Sequence, residues 1–449
     1  MAEPPSSTDH VDDHQNRDDL LDWLHEQRWF GAKSQSLVGA EVVEEGRLTD
    51  ALTLTLLQVH FATGGHELYQ LVLDRGTGEH GVDLISDASR AGPLLTAIDQ
   101  AGEVGGRHGQ FSFRHVGEPD PEAVAGQVRA MGVEQSNSSL VFGDRIVLKL
   151  FRKLEPGINP DLEMLRFLMA HEYPNIAPLH GWYEYEGEAL AATLGIAQRF
   201  VPGATDGWTL ALEQIPHEPD RFLEQLAVLG VITAQLHSVL AGDAGDPAFS
   251  PQEPSSEFLN LLRATLDEQL ERVFGQLPDD PAVGPIAGLE QEIRERITLP
   301  SQGAIGGRSI RIHGDYHLGQ TLHTDAGWTL IDFEGEPVRP LNARRQKRSP
   351  LRDVASMLRS FSYATWAVKL QRGLEPPAGF EERARQAFLD AYLGAVDPTL
   401  LPHGESQTHG LLATFELEKA LYELQYELDN RPDWVAIPVA GILRLAEAA

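Results

Sequence analysis

Hydrophobic and polar positions divide the chain into a first half of alternating runs and a second half of helical stripes. After a polar Pro/Ser/Asp-rich stretch, Met1–Arg17, which reads as a disordered tail, Leu20, Leu21, Trp23 and Leu24 predict a short helix ending near Gln27. Strand-like runs follow at Leu52–Val59, Leu68–Leu73 and Val82–Ile85, then a helix over Asp87–Ala101. Leu140–Phe142 and Arg145–Phe151 flank Gly143-Asp144 as two strands joined by a tight turn. Asn159-Pro160-Asp161 opens a helix, as an N-cap residue followed by first-turn proline should. Gly195–Val201 reads as an apolar strand leaving through Pro202-Gly203. Beyond it, Arg221–Leu240, Phe258–Leu277 and Glu416–Asn430 carry helical spacing. A β-rich half before a helical half predicts an α+β, bilobal fold, divided into a cap at 18–105, a nucleotide-binding lobe at 106–203 and a helical lobe at 204–449.

One stretch, Arg311–Glu336, carries concentrated chemistry. His313-Gly314-Asp315 is followed by Gln320 and then by Asp332-Phe333-Glu334. This register matches the protein-kinase pair H-R-D-x-x-x-x-N and D-F-G, with Gln for Asn and Glu for Gly. Between the two motifs, Thr321–Ile331 reads as a hairpin turning at Thr324–Gly327, which brings Gln320 and Asp332 toward one metal cluster. Asp315 becomes the candidate base and His313 a catalytic-loop residue. Lys149 is the candidate phosphate lysine, and Glu163 its candidate helix partner, with Glu172 and Glu155 as weaker alternatives. Gln135, Ser136, Asn137, Ser138 and Ser139 form a loop rich in hydroxyl and amide groups that suits phosphates. Gln198, Phe200 and Val201 sit where a nucleotide base would meet a hinge. Each has a plainer reading: an outward lysine, a solvated turn, an ordinary strand. The basic island Arg339–Arg352 either lies in solvent or balances nucleotide charge, and Asp353 either caps a helix or braces the catalytic loop.

Two glycine-containing stretches are set aside. Gly31-Ala32-Lys33-Ser34 lacks the glycines of a Walker loop, and Gly76-x-Gly78-x-x-Gly81 runs into a strand instead of a helix. Lys and Arg number 36 against 67 Asp and Glu, a net charge of −31, which disfavours nucleic acid and anionic lipid as partners. Cysteine is absent, excluding disulfides and thiolate metal sites. No apolar run reaches the roughly 20 residues of a membrane span, and the expectation is a cytoplasmic protein. On the last helix Lys419, Tyr422, Glu423, Tyr426 and Asn430 recur opposite the Leu417, Leu421, Leu424, Leu428 stripe, with Trp434 just beyond. That face suits a sugar, and also an ordinary exposed helix.

Gln27–Ser34, Glu134–Ser139, Asn159–Leu168, Arg311–Arg339, Ser349–Phe361 and Lys419–Pro438 together resemble the actinobacterial maltokinases, relatives of aminoglycoside phosphotransferases. The resemblance implies a kinase-like fold with an N-terminal cap and ATP-dependent transfer to the anomeric hydroxyl of maltose, feeding α-glucan synthesis. A functional link to maltose- and trehalose-processing enzymes goes with it. It implies Asp315 as base, Gln320 and Asp332 on Mg²⁺, Lys149 on the phosphates, and Lys419, Tyr422, Tyr426 and Trp434 at the sugar. Tyr316 stands where such a loop would carry Leu, and is expected to reshape the acceptor pocket. Relatives of the family phosphorylate glucosamine. The rival readings are a metal hydrolase on His313, Asp315, His317 and His323, and a sugar sensor on an inactive kinase fold.

Overall fold

The computed structural model describes residues 20–77, 82–131, 137–243, 245–296 and 307–447. The expected tail, Gln135 and Ser136 lie outside them. The chain forms two compact units: one of Met1–Met169, Ala177–Pro202 and Pro337–Leu341, the other of Ala170–Ile176, Gly203–Glu336 and Asn342–Ala449.

The first unit holds two antiparallel sheets. One is built from β1 (Leu37–Arg47), β2 (Leu52–Phe61), β3 (His66–Asp74), β4 (Val82–Asp83) and, by a crossover, β10 (Lys153–Leu154). The other runs β5 (Glu103–Gly105), β6 (Gly109–His115), β11 (Leu179–Gly187), β12 (Ala191–Arg199), β9 (Ile146–Phe151), β8 (Asn137–Phe142), β7 (Val128–Ala130). Both faces of β2 are covered. Leu52, Leu54 and Leu56 join the core with Phe111, Phe113 and Tyr183 of the second sheet, while Leu57, Val59 and Phe61 pack with Leu24, Trp29 and Phe30. Two buried faces explain why β2 reads as a nearly continuous apolar run. The helix expected from Asp87 starts later, as α1 (Gly92–Asp99), because Pro93 suits a first turn and the preceding Leu84–Arg90 segment is a kinked 3₁₀ helix.

Polar bridges tie the two sheets. The buried Arg152 guanidinium reaches Asp83 at 2.7 and 2.9 Å and Ser138 Oγ at 2.8 Å, and lies over the Trp29 ring. Removing one member of a buried pair strands the other's charge. Asp83→Ala is expected to cost about 3–5 kcal/mol, read as a fall in the urea midpoint; an unchanged midpoint would mean the pair contributes nothing.

The second unit is mainly helical. Its helices include α3 (Gly207–His217), α4 (Pro219–Leu240), α5 (Leu351–Arg372), α6 (Phe380–Ala395), α7 (Glu405–Asn430) and α8 (Ala436–Glu447). A small sheet of β13 (Thr205–Asp206), β14 (Thr321–Thr324) and β15 (Gly327–Leu330) sits among them. Among the described residues α4 is long and apolar enough to cross a bilayer, against the sequence expectation, yet half of its apolar window is buried. Its Thr233 and His237 are both fully buried and hydrogen-bonded inside the unit, so it is a core helix.

Candidate active site

The hairpin forms as its pattern predicts, with Thr321 opposite Leu330 and Thr324 opposite Gly327. Ile331 N–H donates to the Gln320 carbonyl at 3.1 Å, closing the base of the hairpin. The two side chains beyond it therefore meet: Gln320 Nε2 donates to Asp332 Oδ2 at 2.9 Å. Asp332 holds a left-handed backbone, φ +66°, uncommon for a side-chain-bearing residue and costly enough that such positions cluster at functional sites. An amide carbonyl and a carboxylate are the hard oxygen donors magnesium takes, so this pair fits that ion.

The catalytic loop is held from beneath. Asp353, 1% exposed in the first turn of α5, accepts from His313 N–H at 2.8 Å and Gly314 N–H at 2.9 Å. His237 Nε2 lies 3.2 Å from the same carboxylate, and its Nδ1 lies 3.0 Å from the Tyr392 hydroxyl. Asp353 thus braces the loop, the second of the two roles its sequence position left open. Gly314 has φ +84°, and a Cβ there would come within 3.2 Å of Gly335 Cα, so the two motif loops touch through glycine. His313 is buried, its Nε2 3.0 Å from the Ile331 carbonyl and its ring against Phe333 and Tyr316. A carbonyl only accepts, so that nitrogen carries the proton. His313 positions the loop rather than facing the acceptor.

Tyr316 corrects the sequence expectation. Its side chain is fully buried, with its hydroxyl 2.8 Å from Thr233 Oγ1, and desolvation raises the phenol's pKa. An apolar ring in the core needs a partner for its hydroxyl, and Thr233 supplies one. Tyr316 therefore supports the loop from the core side and does not shape an acceptor pocket.

Asp315, by contrast, keeps 26% of its side chain exposed and lines a cavity of about 330 Å³ with Trp208, His317, Tyr363, Lys419, Glu423 and Trp434. His317 Nδ1 accepts from Gly319 N–H at 3.1 Å, and its Nε2 stands 3.9 Å from Asp315 Oδ2. Lys419 Nζ is 3.3 Å from Glu336 Oε1; desolvation opposes its charge, but Glu336, Asp315 and Glu423 raise its pKa above the usual lysine value. Glu423 is itself claimed by Arg359 at 2.7 and 2.9 Å. Trp434 stacks with Tyr363 at 6.1 Å, and Arg431 lies over the Trp434 ring at 4.8 Å.

Of the predicted sugar face, Lys419, Glu423 and Trp434 reach this cavity. Tyr422 and Tyr426 are exposed on α7, under Lys419 and Arg431 respectively. Asn430 is outside the cavity lining and donates to the Tyr426 carbonyl at 2.9 Å, ending the helix. Sequence reasoning missed Trp208, Arg359, Tyr363 and Arg431. Only Trp208 carried a local signal, an aromatic in the segment that follows the expected hinge. The basic island proves largely internal: Arg352 pairs with Glu418 at 3.0 Å, Arg344 with Glu334 at 3.7 Å, and Lys347 donates to the Pro247 and Ser250 carbonyls.

In the first unit, Lys149 lies on the interior strand β9, between Ser139 and Ile196. Its Nζ is 3.4 Å from Asp161 Oδ2, a fully buried carboxylate of the helix Pro160–Ala170 that sequence reasoning did not single out; Glu163 lies on the same helix. Asn137, Ser138 and Ser139 are buried residues of strand β8, not a loop, and Ser138 Oγ is occupied by Arg152. Gln198 donates to the Ala177 carbonyl at 3.1 Å, and Phe200 N–H to the Arg145 carbonyl at 2.8 Å, with partly buried Val201 following.

This geometry is that of a phosphotransferase of kinase-like fold, and residues 127–335 match the phosphotransferase enzyme family. Residues 23–90 match the maltokinase N-terminal cap domain. A glucosamine kinase of Streptacidiphilus jiangxiensis is 26% identical over 401 residues, covering 82% of this chain and 88% of that protein. A glucosamine kinase of Mycolicibacterium smegmatis is 25% identical over 398 residues, covering 83% and 89%. A solved glucosamine kinase in complex with glucosamine, ADP and inorganic phosphate superposes with a TM-score of 0.68 at 21% identity, covering 93% of this chain and 96% of that one. That last likeness bears on the fold.

Proposed function

We propose that the chain is an ATP-dependent sugar kinase acting in the cytoplasm, with glucosamine ahead of maltose as the acceptor. The observation that carries this reading is the cavity in which Asp315 shares a wall with Trp208, Tyr363, Trp434 and Lys419. Aromatic planes take the C–H faces of a sugar ring, and convergent polar groups take its hydroxyls. Glucosamine is favoured by two relatives of that name, each matching more than four-fifths of the chain, and by an acidic surface that attracts an ammonium-bearing substrate. Maltose, with its link to maltose- and trehalose-processing enzymes, is favoured by the cap.

Asp315 accepts the proton of the acceptor hydroxyl as that oxygen attacks the γ-phosphorus and the bond to the departing ADP breaks. Lys149 orients the α- and β-phosphates. Gln320 and Asp332 would hold magnesium, which when bound neutralises charge on the phosphates. Positioning and charge compensation supply most of the acceleration.

ADP release from Mg·ATP, measured with glucosamine, maltose, glucose and an aminoglycoside offered separately, tests the reading. Turnover with glucosamine is expected; turnover with maltose alone would reverse the order of acceptors, and turnover with none would remove the sugar-kinase reading. Trp434→Ala is expected to raise KM for the sugar about tenfold, about 1.4 kcal/mol, while leaving KM for ATP unchanged.

A further inference from the structure

Asp99, His115 and His180 meet in the first unit, and we propose that they form a binding site for a borderline divalent cation of the zinc class, separate from the magnesium pair. The sheet register brings the histidines together. His115 ends β6 opposite Gly181 of β11, and Val116 N–H donates to the His180 carbonyl at 2.8 Å, so the two rings are diagonal neighbours with centroids 4.8 Å apart. Helix α1 delivers the carboxylate from its last residue, Asp99. It lies close on the strands because position 181 is glycine: a Cβ there would stand 2.4 Å from Ile98 Cγ2 and from the Arg114 carbonyl oxygen.

The side chains are oriented as ligands. His115 Nε2 lies 2.9 Å from the Gly117 carbonyl, which only accepts, so that nitrogen is protonated and the lone pair sits on Nδ1. A backbone carbonyl fixing the far nitrogen is the usual outer support of a metal-bound histidine. This Nδ1 is buried without a hydrogen-bond partner, 3.7 Å from Asp99 Oδ1. His180 Nε2–H donates to the same oxygen at 2.7 Å, a proton that an ion bound there would displace to the buried, unpartnered Nδ1, and Asp99 Oδ2 is held by Asp120 N–H at 3.1 Å. One ligand atom from each residue lies within 4.8 Å of the others. Zinc bonds of about 2.0–2.2 Å in tetrahedral geometry place neighbouring ligand atoms roughly 3.3 Å apart, between the two spacings found here.

Burial suits a held ion as well. The side chains of His180, Asp99 and His115 are 0%, 8% and 12% exposed. Arg199, the cation that bears on His180, is tied to Asp120. Two imidazoles and a carboxylate, with water completing the shell, make an N₂O set that zinc accepts and magnesium does not favour. The ion would staple the end of α1 to β6 and β11.

The test is calorimetric titration of the EDTA-treated full chain with zinc chloride, beside His115→Ala and Asp99→Asn, each checked for Mg·ATP turnover as evidence of folding. One equivalent of zinc is expected, bound at least tenfold more tightly by the wild type than by either variant, with turnover unchanged. Cobalt(II) should give visible bands that the variants lose. Identical isotherms in wild type and in the variant that retains turnover would place the zinc elsewhere among the 17 histidines and overturn the site, as would no saturable equivalent in the wild type.

Discussion

Asp315→Asn is expected to lower kcat by 10²–10⁴-fold while leaving KM for ATP unchanged, the range a positioned general base supplies. The substitution keeps the volume and much of the hydrogen-bonding capacity of a side chain at the cavity wall, so the loop above Asp353 should hold its shape. What it removes is a proton acceptor, since an amide does not take up the hydroxyl proton near neutral pH. Asp315 also helps keep Lys419 charged, so part of the loss should appear as weaker sugar binding, a rise in KM for the sugar. Steady-state kinetics with the best acceptor separates the two. Near-normal kcat would remove Asp315 from the chemistry.

The second large effect belongs to a residue that touches no substrate. Asp353→Ala deletes a buried carboxylate holding two N–H groups of the catalytic loop and the His237 ring. The stranded donors have no water to turn to, and loss of one buried partner on this scale costs about 3–5 kcal/mol. The loop then loses its anchor at the residues just before Asp315. Turnover should fall at least a hundredfold even in the fraction that remains folded, with the urea midpoint falling in parallel. Asp353→Asn, which retains one acceptor oxygen, should recover part of the stability. A variant stable as wild type with normal kcat would show that the loop needs no brace.

Local chemistry was legible along the chain and long-range chemistry was not. The Thr321–Leu330 hairpin and the Gln320–Asp332 contact follow from a turn and a register of a few residues, and spacing alone implies them. Lys149 on its strand and the Asn159-led helix are likewise short-range patterns. Tyr316 was misread because its neighbour is Thr233, on a helix far away in sequence, and nothing beside it marks its ring as inward. Asn137–Ser139 look like a loop by composition, but pairing with β9 holds them extended and the distant Arg152 takes the Ser138 hydroxyl. Tyr363 reaches the cavity, and Arg359 meets Glu423 behind it, only because α5 packs against α7, a packing no periodicity specifies. On α7 the spacing gave a helix face but not its rim, so Tyr422 and Tyr426 were grouped with Lys419 although their rings stand in solvent.

The manner in which the two sheets of the first unit are joined bears on inheritance. Gln70 of β3 donates to the Phe151 and Leu194 carbonyls and accepts from the Tyr183 hydroxyl, and Leu52, Leu54 and Leu56 complete the core beneath the other sheet. The N-terminal region is therefore no removable accessory. A chain begun after residue 105 would expose the apolar underside of its nucleotide sheet, strip the Tyr183 hydroxyl of Gln70 and leave Arg152 without its carboxylate, Asp83. Descendants that lost this segment could persist only by repacking that face at once, which makes the cap a part that lineages keep or replace whole rather than erode.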